Sequence, residues 1–234
     1  MTDIAAVIGA LQVPSAAGAR PVADLGAAHL KAHGLTLFRG DRCLFKRLDL
    51  EVGAGEALHV VGPNGSGKTT LLRTLAGLTL AEDGQVYWCG HRIESVRQEY
   101  AQDLAWCGHH PALKDDLTLR ENLSLHRRLR FGRDEDAVAR VMDKLKISRL
   151  SEIHAGRLSA GQRRRASLAN LLLSEARLWL MDEPLTNLDV AGKALVKQLI
   201  SEHVTGGGLC VLVAHEAVEI ERVEPAQLEL GRKS

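Results

Sequence analysis

The chain has 234 residues, of which 25% are charged and 3% are aromatic, and its formal net charge is +1. This balance gives no sign of a polyanionic partner or an electrostatic membrane anchor, and the aromatic residues are too few for a platform on which nucleic-acid bases stack. We therefore expect no nucleic-acid partner. No apolar run approaches the roughly 20 residues of a membrane span, so we expect only a peripheral role at any membrane.

The first part of the chain differs in composition from the rest. Residues 1–28 are rich in alanine and glycine, contain Pro14 and Pro21, and lack a sustained amphipathic period. Such a stretch predicts a disordered leader without a function of its own. It also lacks the basic region and apolar core of a secretory signal, so we expect a cytoplasmic chain with reduced thiols.

Short strands follow the leader. The apolar and β-branched runs after Leu30 are typical of strands, and Gly53-Ala54-Gly55 has the composition of a tight turn. We therefore expect a hairpin around this turn and a further strand that extends the same antiparallel set. The predicted strands are residues 35–38, 48–52, 57–61 and 85–89, with the hairpin turn between the second and the third.

Residues 62–70 read Gly-Pro-Asn-Gly-Ser-Gly-Lys-Thr-Thr and match the G-x-x-x-x-G-K-[ST] pattern of a phosphate-binding loop. Because glycine has no Cβ, backbone N–H groups converge on a polyphosphate, and the following helix presents its positive end. We expect Lys68 to reach the β and γ phosphates of a nucleoside triphosphate and the Thr69 hydroxyl to bind Mg²⁺. The predicted nucleotide-binding residues are Gly62, Pro63, Asn64, Gly65, Ser66, Gly67, Lys68, Thr69 and Thr70.

The rest of the chain predicts helices around a sheet. A helix over residues 68–78 leaves the loop and ends at Ala76-Gly77, and residues 112–158 look mostly helical, as an inserted subdomain. The expected later elements are helices over 159–173 and 191–203 and strands over 178–181, 209–213 and 227–230. The predicted fold class is therefore α/β, a phosphate-loop NTPase core with a small antiparallel β subdomain and an inserted helical subdomain, within residues 29–231.

Two carboxylates follow the apolar strand at residues 178–181. Asp182 and Glu183 are expected at the carboxyl edge of the sheet, where the phosphate-binding loop also lies. Asp182 suits a ligand of Mg²⁺. Glu183 suits the residue that accepts a proton from the attacking water, because a metal ligand cannot easily fill both roles.

Two Cys-Gly-His triplets offer soft ligands, at residues 89–91 and 107–109. Thiols and imidazoles bind zinc and haem iron, so either group is an alternative use of these residues. The triplets fall in different predicted elements, and the sequence has no C-x-x-C pair. We therefore favour packing for the first triplet and nucleotide sensing for the second.

Residues 158–162 read Leu-Ser-Ala-Gly-Gln, in which Ser159 and Gln162 also have the spacing of an ordinary capping box. Together with Asp182-Glu183, Leu188-Asp189 and His215, this segment resembles the signature of ATP-binding cassette ATPases. The likeness covers about residues 30–230, nearly the whole chain outside the leader.

The resemblance implies roles for further residues. Phe38 stacks on adenine, His215 contacts the γ-phosphate, and Asp189 lies in the loop that meets a second protomer. The helix that begins after Ser159 is an anion site in addition to the phosphate-binding loop. In this family it completes the ATP site of the opposite protomer, which implies a homodimer in the ATP state. The residues that would act there are Ser159, Gly161 and Gln162.

Smaller details resemble the ATP-binding subunits of the haem exporters of bacterial cytochrome c maturation. They are Ala160 in the signature, Trp-Cys-Gly-His-His-Pro at residues 106–111, and Gly-Gln-Arg-Arg-Arg at residues 161–165. The resemblance implies an integral membrane permease and haem-handling membrane proteins as partners, at the cytoplasmic face of the inner membrane. Most cassette ATPases have a glutamine where this chain has His109 and His110, so either histidine is a candidate sensor of Mg²⁺ and the attacking water.

Alternative functions remain open at this point. A soluble cassette ATPase that acts on DNA or ribosomes usually carries a long coiled coil or tandem cassettes, and the sequence has neither. The ATPase of another small exporter fits the same motifs. A non-hydrolysing regulatory cassette is disfavoured by the intact set of Lys68, Asp182, Glu183 and His215.

Overall fold

The computed structural model describes residues 27–132, 134–214 and 218–231. Most of the predicted leader and His215 therefore lie outside the described residues. Within these ranges the chain forms a four-stranded antiparallel sheet and a five-stranded parallel sheet with helices packed on it. This is the α/β architecture that the sequence predicts.

The antiparallel sheet consists of β1 (His29–Arg39), β2 (Arg42–Gly53), β4 (Asp83–Trp88) and β5 (His91–Arg92), in the order β2-β1-β4-β5. Along β1, Leu30 and Ala32 are buried whereas Lys31 and His33 are exposed. This alternation is typical of a sheet that packs one face on a core. The pairing of β4 with β1 confirms the predicted continuation of the antiparallel set.

The parallel sheet consists of β3 (Ala57–Val61), β6 (Leu104–Cys107), β7 (Leu178–Asp182), β8 (Leu209–Val213) and β9 (Ala226–Glu229). Their order is β6-β7-β8-β3-β9. Every residue of β7 and β8 is buried, as expected for strands that are covered on both faces. The strand β6 was not predicted from the sequence.

The predicted hairpin around residues 53–55 is wrong. Strand β2 pairs with β1, whereas β3 pairs in parallel with β8 and β9 in the other sheet. The turn is bonded to the parallel core, since the Gly55 N–H donates to the Gly208 carbonyl at 3.0 Å. The almost wholly buried residues of β3 suit the middle of a parallel sheet, which a two-sided hairpin at an edge would not provide.

The described helices are α1 (Lys68–Leu75), α2 (Arg97–Asp103), α3 (Leu119–Phe131), α4 (Glu135–Lys144), α5 (Ala160–Ser174) and α6 (Val190–Thr205). Helix α1 leaves the phosphate-binding loop and ends before Gly77, as predicted. Helix α3 begins at the capping box of Thr118 and Glu121 and lies in the segment predicted to be helical. Short 3₁₀ turns at Ser148–Leu150 and Ala155–Arg157 lead from this segment into α5.

Alternate residues of the parallel strands face two hydrophobic clusters. Leu178 and Leu180 of β7 pack in the cluster that contains α1 and the antiparallel sheet. Trp179 and Met181 pack in the cluster of α5, α6 and the helical segment. The parallel sheet is therefore buried on both sides, and its carboxyl edge is left to the loops. No helix among the described residues is long and apolar enough to cross a membrane.

Candidate nucleotide site

The phosphate-binding loop joins β3 to α1 and packs against Leu230 and Gly231, which follow β9. Gly62 has φ 145° and Gly67 has φ 100°, conformations that residues with a Cβ rarely adopt. A Cβ added to Gly62 would overlap the carbonyl oxygen of Leu230, and one added to Gly67 would lie 3.1 Å from the Cβ of Leu44. The loop therefore needs glycine at both positions.

Lys68 is the first residue of α1, and its side chain turns back into the loop. The Nζ donates to the carbonyl oxygens of Gly62 at 2.7 Å and Pro63 at 3.1 Å. The ammonium is nearly buried, so these two bonds offset part of its desolvation. They also hold the charge at the mouth of the loop.

Ser66 carries a buried hydroxyl that has no hydrogen-bond partner among the described residues. Buried polar atoms are usually paired, so this hydroxyl is an exception within the loop. The Ser66 side chain lies beside Gly62 and Gly231, on the side of the loop that packs against the end of β9.

Thr69 and Asp182 connect the loop to the end of β7. The Thr69 Oγ1 donates to the Asp182 Oδ2 at 3.0 Å, and Asp182 is only 4% exposed. A hydroxyl and a carboxylate are hard oxygen ligands of the kind that Mg²⁺ prefers. The structure thus brings together the two residues that the sequence singles out as metal ligands.

Glu183 follows Asp182 and has φ 53°, in the left-handed region. Its N–H donates to the Val213 carbonyl of β8 at 2.9 Å. Its carbonyl accepts from the guanidinium of Arg164 at 2.5 Å. The backbone of this residue is therefore fixed on both sides of its Cα. Sequence reasoning missed Arg164, which resembles any solvated charge on a helix.

A buried histidine also lies under this edge of the sheet. His59 of β3 donates from Nε2 to the carbonyl oxygen of Ala214 at 3.3 Å. Burial lowers the pKa of His59, although this bond and the charge of Glu183 act in the opposite direction. The signal in the sequence was one polar residue inside an apolar run, and it was overlooked.

The loop after β6 carries the two adjacent histidines. His109 and His110 are exposed, and their ring centroids lie 5.0 Å apart in an edge-to-face arrangement. The preceding carbonyl of Gly108 accepts from Arg164 at 2.6 Å. Phe38 of β1 is 40% exposed and is paired with Cys43 of β2.

The signature segment begins α5. Ser159 and Gln162 form the full capping box, with bonds of 3.3 Å to the Ser159 Oγ and 2.8 Å to the Gln162 Oε1. A Cβ on Gly161 would lie 2.9 Å from the Asn187 carbonyl oxygen, so this turn packs closely on the loop that precedes α6. The helix N-terminus itself is exposed at Ser159 and Ala160.

Asp189 caps α6 in that loop. Its Oδ1 accepts from the Gly192 N–H at 2.8 Å and from the Arg165 Nη2 at 2.7 Å. The Gly192 N–H, and next the Arg165 guanidinium, hold the pKa of Asp189 below its ordinary value. The ion pair between Asp189 and Arg165 therefore joins this loop to α5.

The two Cys-Gly-His triplets pack on different sides of the parallel sheet. Cys107 is buried in the cluster that contains α5, with its Sγ 3.9 Å from the Ser167 Oγ. Cys89 packs against the other cluster, and its Sγ lies 3.9 Å from the Arg177 Nη2. Burial raises the pKa of both thiols, which disfavours the thiolate form that metals bind.

Comparison with known proteins agrees with this geometry. The sequence profile of the ABC transporter family matches residues 45–186. The cytochrome c biogenesis ATP-binding export protein CcmA of Aliivibrio fischeri is 37% identical over 202 residues, which are 86% of this chain and 99% of that protein. The protein of the same name from Methylococcus capsulatus is 42% identical over 195 residues, which are 82% of this chain and 94% of that protein.

Solved structures show the same fold at low sequence identity. An ATP-binding protein of a putative ABC transporter from Pyrococcus furiosus superimposes with a TM-score of 0.74 at 22% identity, over 86% of this chain and 97% of that one. The ATP-binding subunit of another ABC transporter has a TM-score of 0.72 at 23% identity, over 80% and 79% of the two chains. With the profile and the sequence relatives, these matches establish that the chain is an ATPase of the ABC transporter family.

Proposed function

We propose that this ATPase powers haem export in cytochrome c biogenesis as the ATP-hydrolysing subunit of a membrane complex. The relatives named for cytochrome c biogenesis and export support the process, since they match over most of their own length. The observation that carries hydrolysis is the 3.0 Å bond between Thr69 and Asp182, which joins the phosphate-binding loop to the last residue of β7, directly before Glu183.

The loop suits ATP and Mg²⁺. An ammonium has three donors, and Lys68 directs two of them to loop carbonyls, so one remains for a phosphate oxygen. Gly67, at φ 100°, turns the loop into α1, and the positive end of this helix suits the same polyphosphate. Thr69 and Asp182 would hold Mg²⁺, which when bound neutralises charge on the phosphates.

Glu183 would act as the general base. Its carboxylate oxygen would accept a proton from water as the water oxygen attacks the γ-phosphorus. The bonds to Val213 and Arg164 fix the backbone from which this side chain extends. His109 or His110 would sense the nucleotide from the exposed loop, and Phe38 would stack on adenine. His215 would contact the γ-phosphate by resemblance to the family.

The signature end of α5 supports a homodimer in the ATP state. Its exposed N-terminus at Ser159 is an anion site, with the positive end of a helix of fifteen residues behind it. The N-terminus of α1 already faces the nucleotide that the chain's own phosphate-binding loop would bind. Ser159, Gly161 and Gln162 would therefore contact the ATP of the partner, beside Asp189.

The membrane complex would supply the path for haem. We infer an integral membrane permease and haem-handling membrane proteins as partners, with this subunit bound peripherally at the cytoplasmic face of the inner membrane. The segment at residues 113–129 of the helical region is the proposed docking surface for the permease.

The proposed function is tested in cells that lack this gene, by staining membrane proteins for covalently bound haem. The wild-type gene should restore mature cytochrome c, and Glu183→Gln should not, at equal levels of the subunit. Arg140→Gln, which removes a guanidinium that is 70% exposed, is the matched control and should restore it fully. Normal cytochrome c without the gene, or full restoration by Glu183→Gln, would contradict the proposal.

A further inference from the structure

Three consecutive arginines at the start of α5 reach three different parts of the chain. Arg163 Nη2 lies 2.5 Å from Asp115 Oδ1, and Arg165 Nη2 lies 2.7 Å from Asp189 Oδ1. Both are ion pairs near the surface. Arg164, which points inward between them, is only 3% exposed and is bound by main-chain carbonyl oxygens.

The Arg164 guanidinium joins two loops of the nucleotide site. Its Nη2 donates to the carbonyls of Asp182 at 2.9 Å and Glu183 at 2.5 Å, and its Nε donates to Pro184 at 3.2 Å. Its Nη1 donates to Gly108 at 2.6 Å, directly before the histidine loop. The guanidinium is planar and rigid. Its Nη1 is therefore fixed to Gly108 while its Nη2 and Nε hold the three successive carbonyls of residues 182–184.

These bonds act on the conformation of Glu183. A residue with a Cβ is disfavoured in the left-handed region and persists there only when its surroundings impose it. Here φ is 53°, the N–H donates to the Val213 carbonyl, and Arg164 donates to Glu183's own carbonyl and to that of the preceding residue. The direction in which the carboxylate leaves the backbone therefore depends on Arg164.

We propose that Arg164 is a positioning residue of ATP hydrolysis, which holds the backbone of Glu183 so that its carboxylate is presented to the attacking water. The inference rests on the proposed role of Glu183 as the general base. Arg164 of α5 would thus act on the nucleotide site, whereas its neighbours Arg163 and Arg165 form ion pairs near the surface.

The test is steady-state ATP hydrolysis by Arg164→Lys. Lysine keeps the charge but replaces the fork by a single ammonium that cannot reach all four carbonyls. Because misplacement of a catalytic group by about 1 Å costs roughly 100-fold in rate, we expect kcat to fall at least about tenfold. The KM for ATP should change less than about threefold, since the phosphate-binding loop is untouched. Arg140→Lys, on the exposed face of α4, is the control and should keep both values.

A double-mutant comparison separates positioning from a general structural role. In the Glu183→Gln background, where the base is absent, Arg164→Lys should cause no further loss in single-turnover hydrolysis. An equal loss in both backgrounds, or an unchanged kcat in Arg164→Lys alone, would overturn the inference.

Two further outcomes are informative. Should Arg164→Lys not fold, Arg164→Gln allows the same comparison, and failure of both to fold while Glu183→Gln folds would assign Arg164 a purely structural role. Normal turnover by Glu183→Gln alone would instead contradict the proposed base, so the two failures are distinguishable.

Discussion

Thr69 and Asp182, which are 113 positions apart in the sequence, are joined by a hydrogen bond of 3.0 Å between Oγ1 and Oδ2. The bond connects the first turn of α1 to the end of β7. It brings the hydroxyl of the phosphate-binding loop next to the buried carboxylate, with Glu183 as the following residue. In the proposed site, binding of the polyphosphate and activation of water would occur at adjacent parts of one sheet edge.

Lys68→Ala should lower ATP turnover by about 100-fold or more, the effect of removing one preorganised donor from a charged transition state. ATP affinity should fall as well, because the ammonium at the mouth of the loop is lost. Steady-state phosphate release and equilibrium nucleotide binding measure the two effects. Near-normal hydrolysis by the purified variant would refute the assignment of this loop.

The stability of the fold should depend on pH through His203. Its ring stacks on Trp179 at 3.9 Å, and burial lowers its pKa to about 4. Below the ordinary histidine pKa the unfolded chain takes up a proton that the folded chain does not, so stability is lost as pH falls from about 6.5 towards 4. Between about pH 8 and pH 5 this amounts to about 2 kcal/mol of unfolding free energy.

Urea unfolding at the two pH values measures this loss. The difference between them should shrink by about 2 kcal/mol in His203→Gln, because the titrating group is absent. His91→Gln, at an exposed position of β5, is the control and should keep the wild-type difference. An identical pH dependence in wild type and His203→Gln would show that His203 does not titrate in this way.

The surface of α3 should carry the contact with the permease. Leu129 is 70% exposed and lies next to the exposed Arg128, so the pair combines apolar and charged surface. Arg128→Glu should lower the yield of mature cytochrome c about tenfold, the scale of one interface residue, without weakening ATP binding. Arg140→Glu on α4 is the matched control. Unchanged transport and permease binding in Arg128→Glu and Leu129→Ser would reject this surface.

His109 and His110 should act in nucleotide sensing and not in binding haem. At least one of the two single changes to alanine should alter the ATPase rate about tenfold, as expected for an oriented polar group near the reaction. Because both rings are exposed, the unfolding free energy should change by only about 0.5 kcal/mol. The purified chain should show no stoichiometric haem absorption, whereas a saturable Soret band that disappears in Cys107→Ala would overturn this assignment.

Much of the fold follows from local patterns in the sequence. The continuous apolar runs at residues 178–181 and 209–213 predict strands, and the observed bounds of β7 and β8 differ from the predicted ones by at most one residue. The pairing of β3 was not predictable in the same way, because its partners β8 and β9 are contributed by the far end of the chain. The glycine-rich turn between β2 and β3 instead favoured a hairpin of these two neighbouring strands. Strand β6 was missed because it is short and directly follows α2.

The candidate site shows the same division between local and tertiary information. The phosphate-binding loop and the pair Asp182-Glu183 are contiguous motifs, so their chemistry is readable from spacing alone. The task of Arg164 is not, since its burial arises only when Gly108 and the turn after β7 are folded around it. Leu230, which lies against Gly62, is likewise brought to the site by the fold alone.

The most direct test of the account is the mass of the Glu183→Gln variant in solution, measured by size exclusion with light scattering in ATP and Mg²⁺. Loss of the base should slow hydrolysis by about 100- to 10,000-fold, while the amide keeps the shape of the site. The variant should therefore accumulate as an ATP-bound dimer with twice the mass of one chain, and return to monomer when ATP is removed. A monomer in both conditions, together with unaffected turnover, would contradict both the catalytic base and the shared nucleotide site.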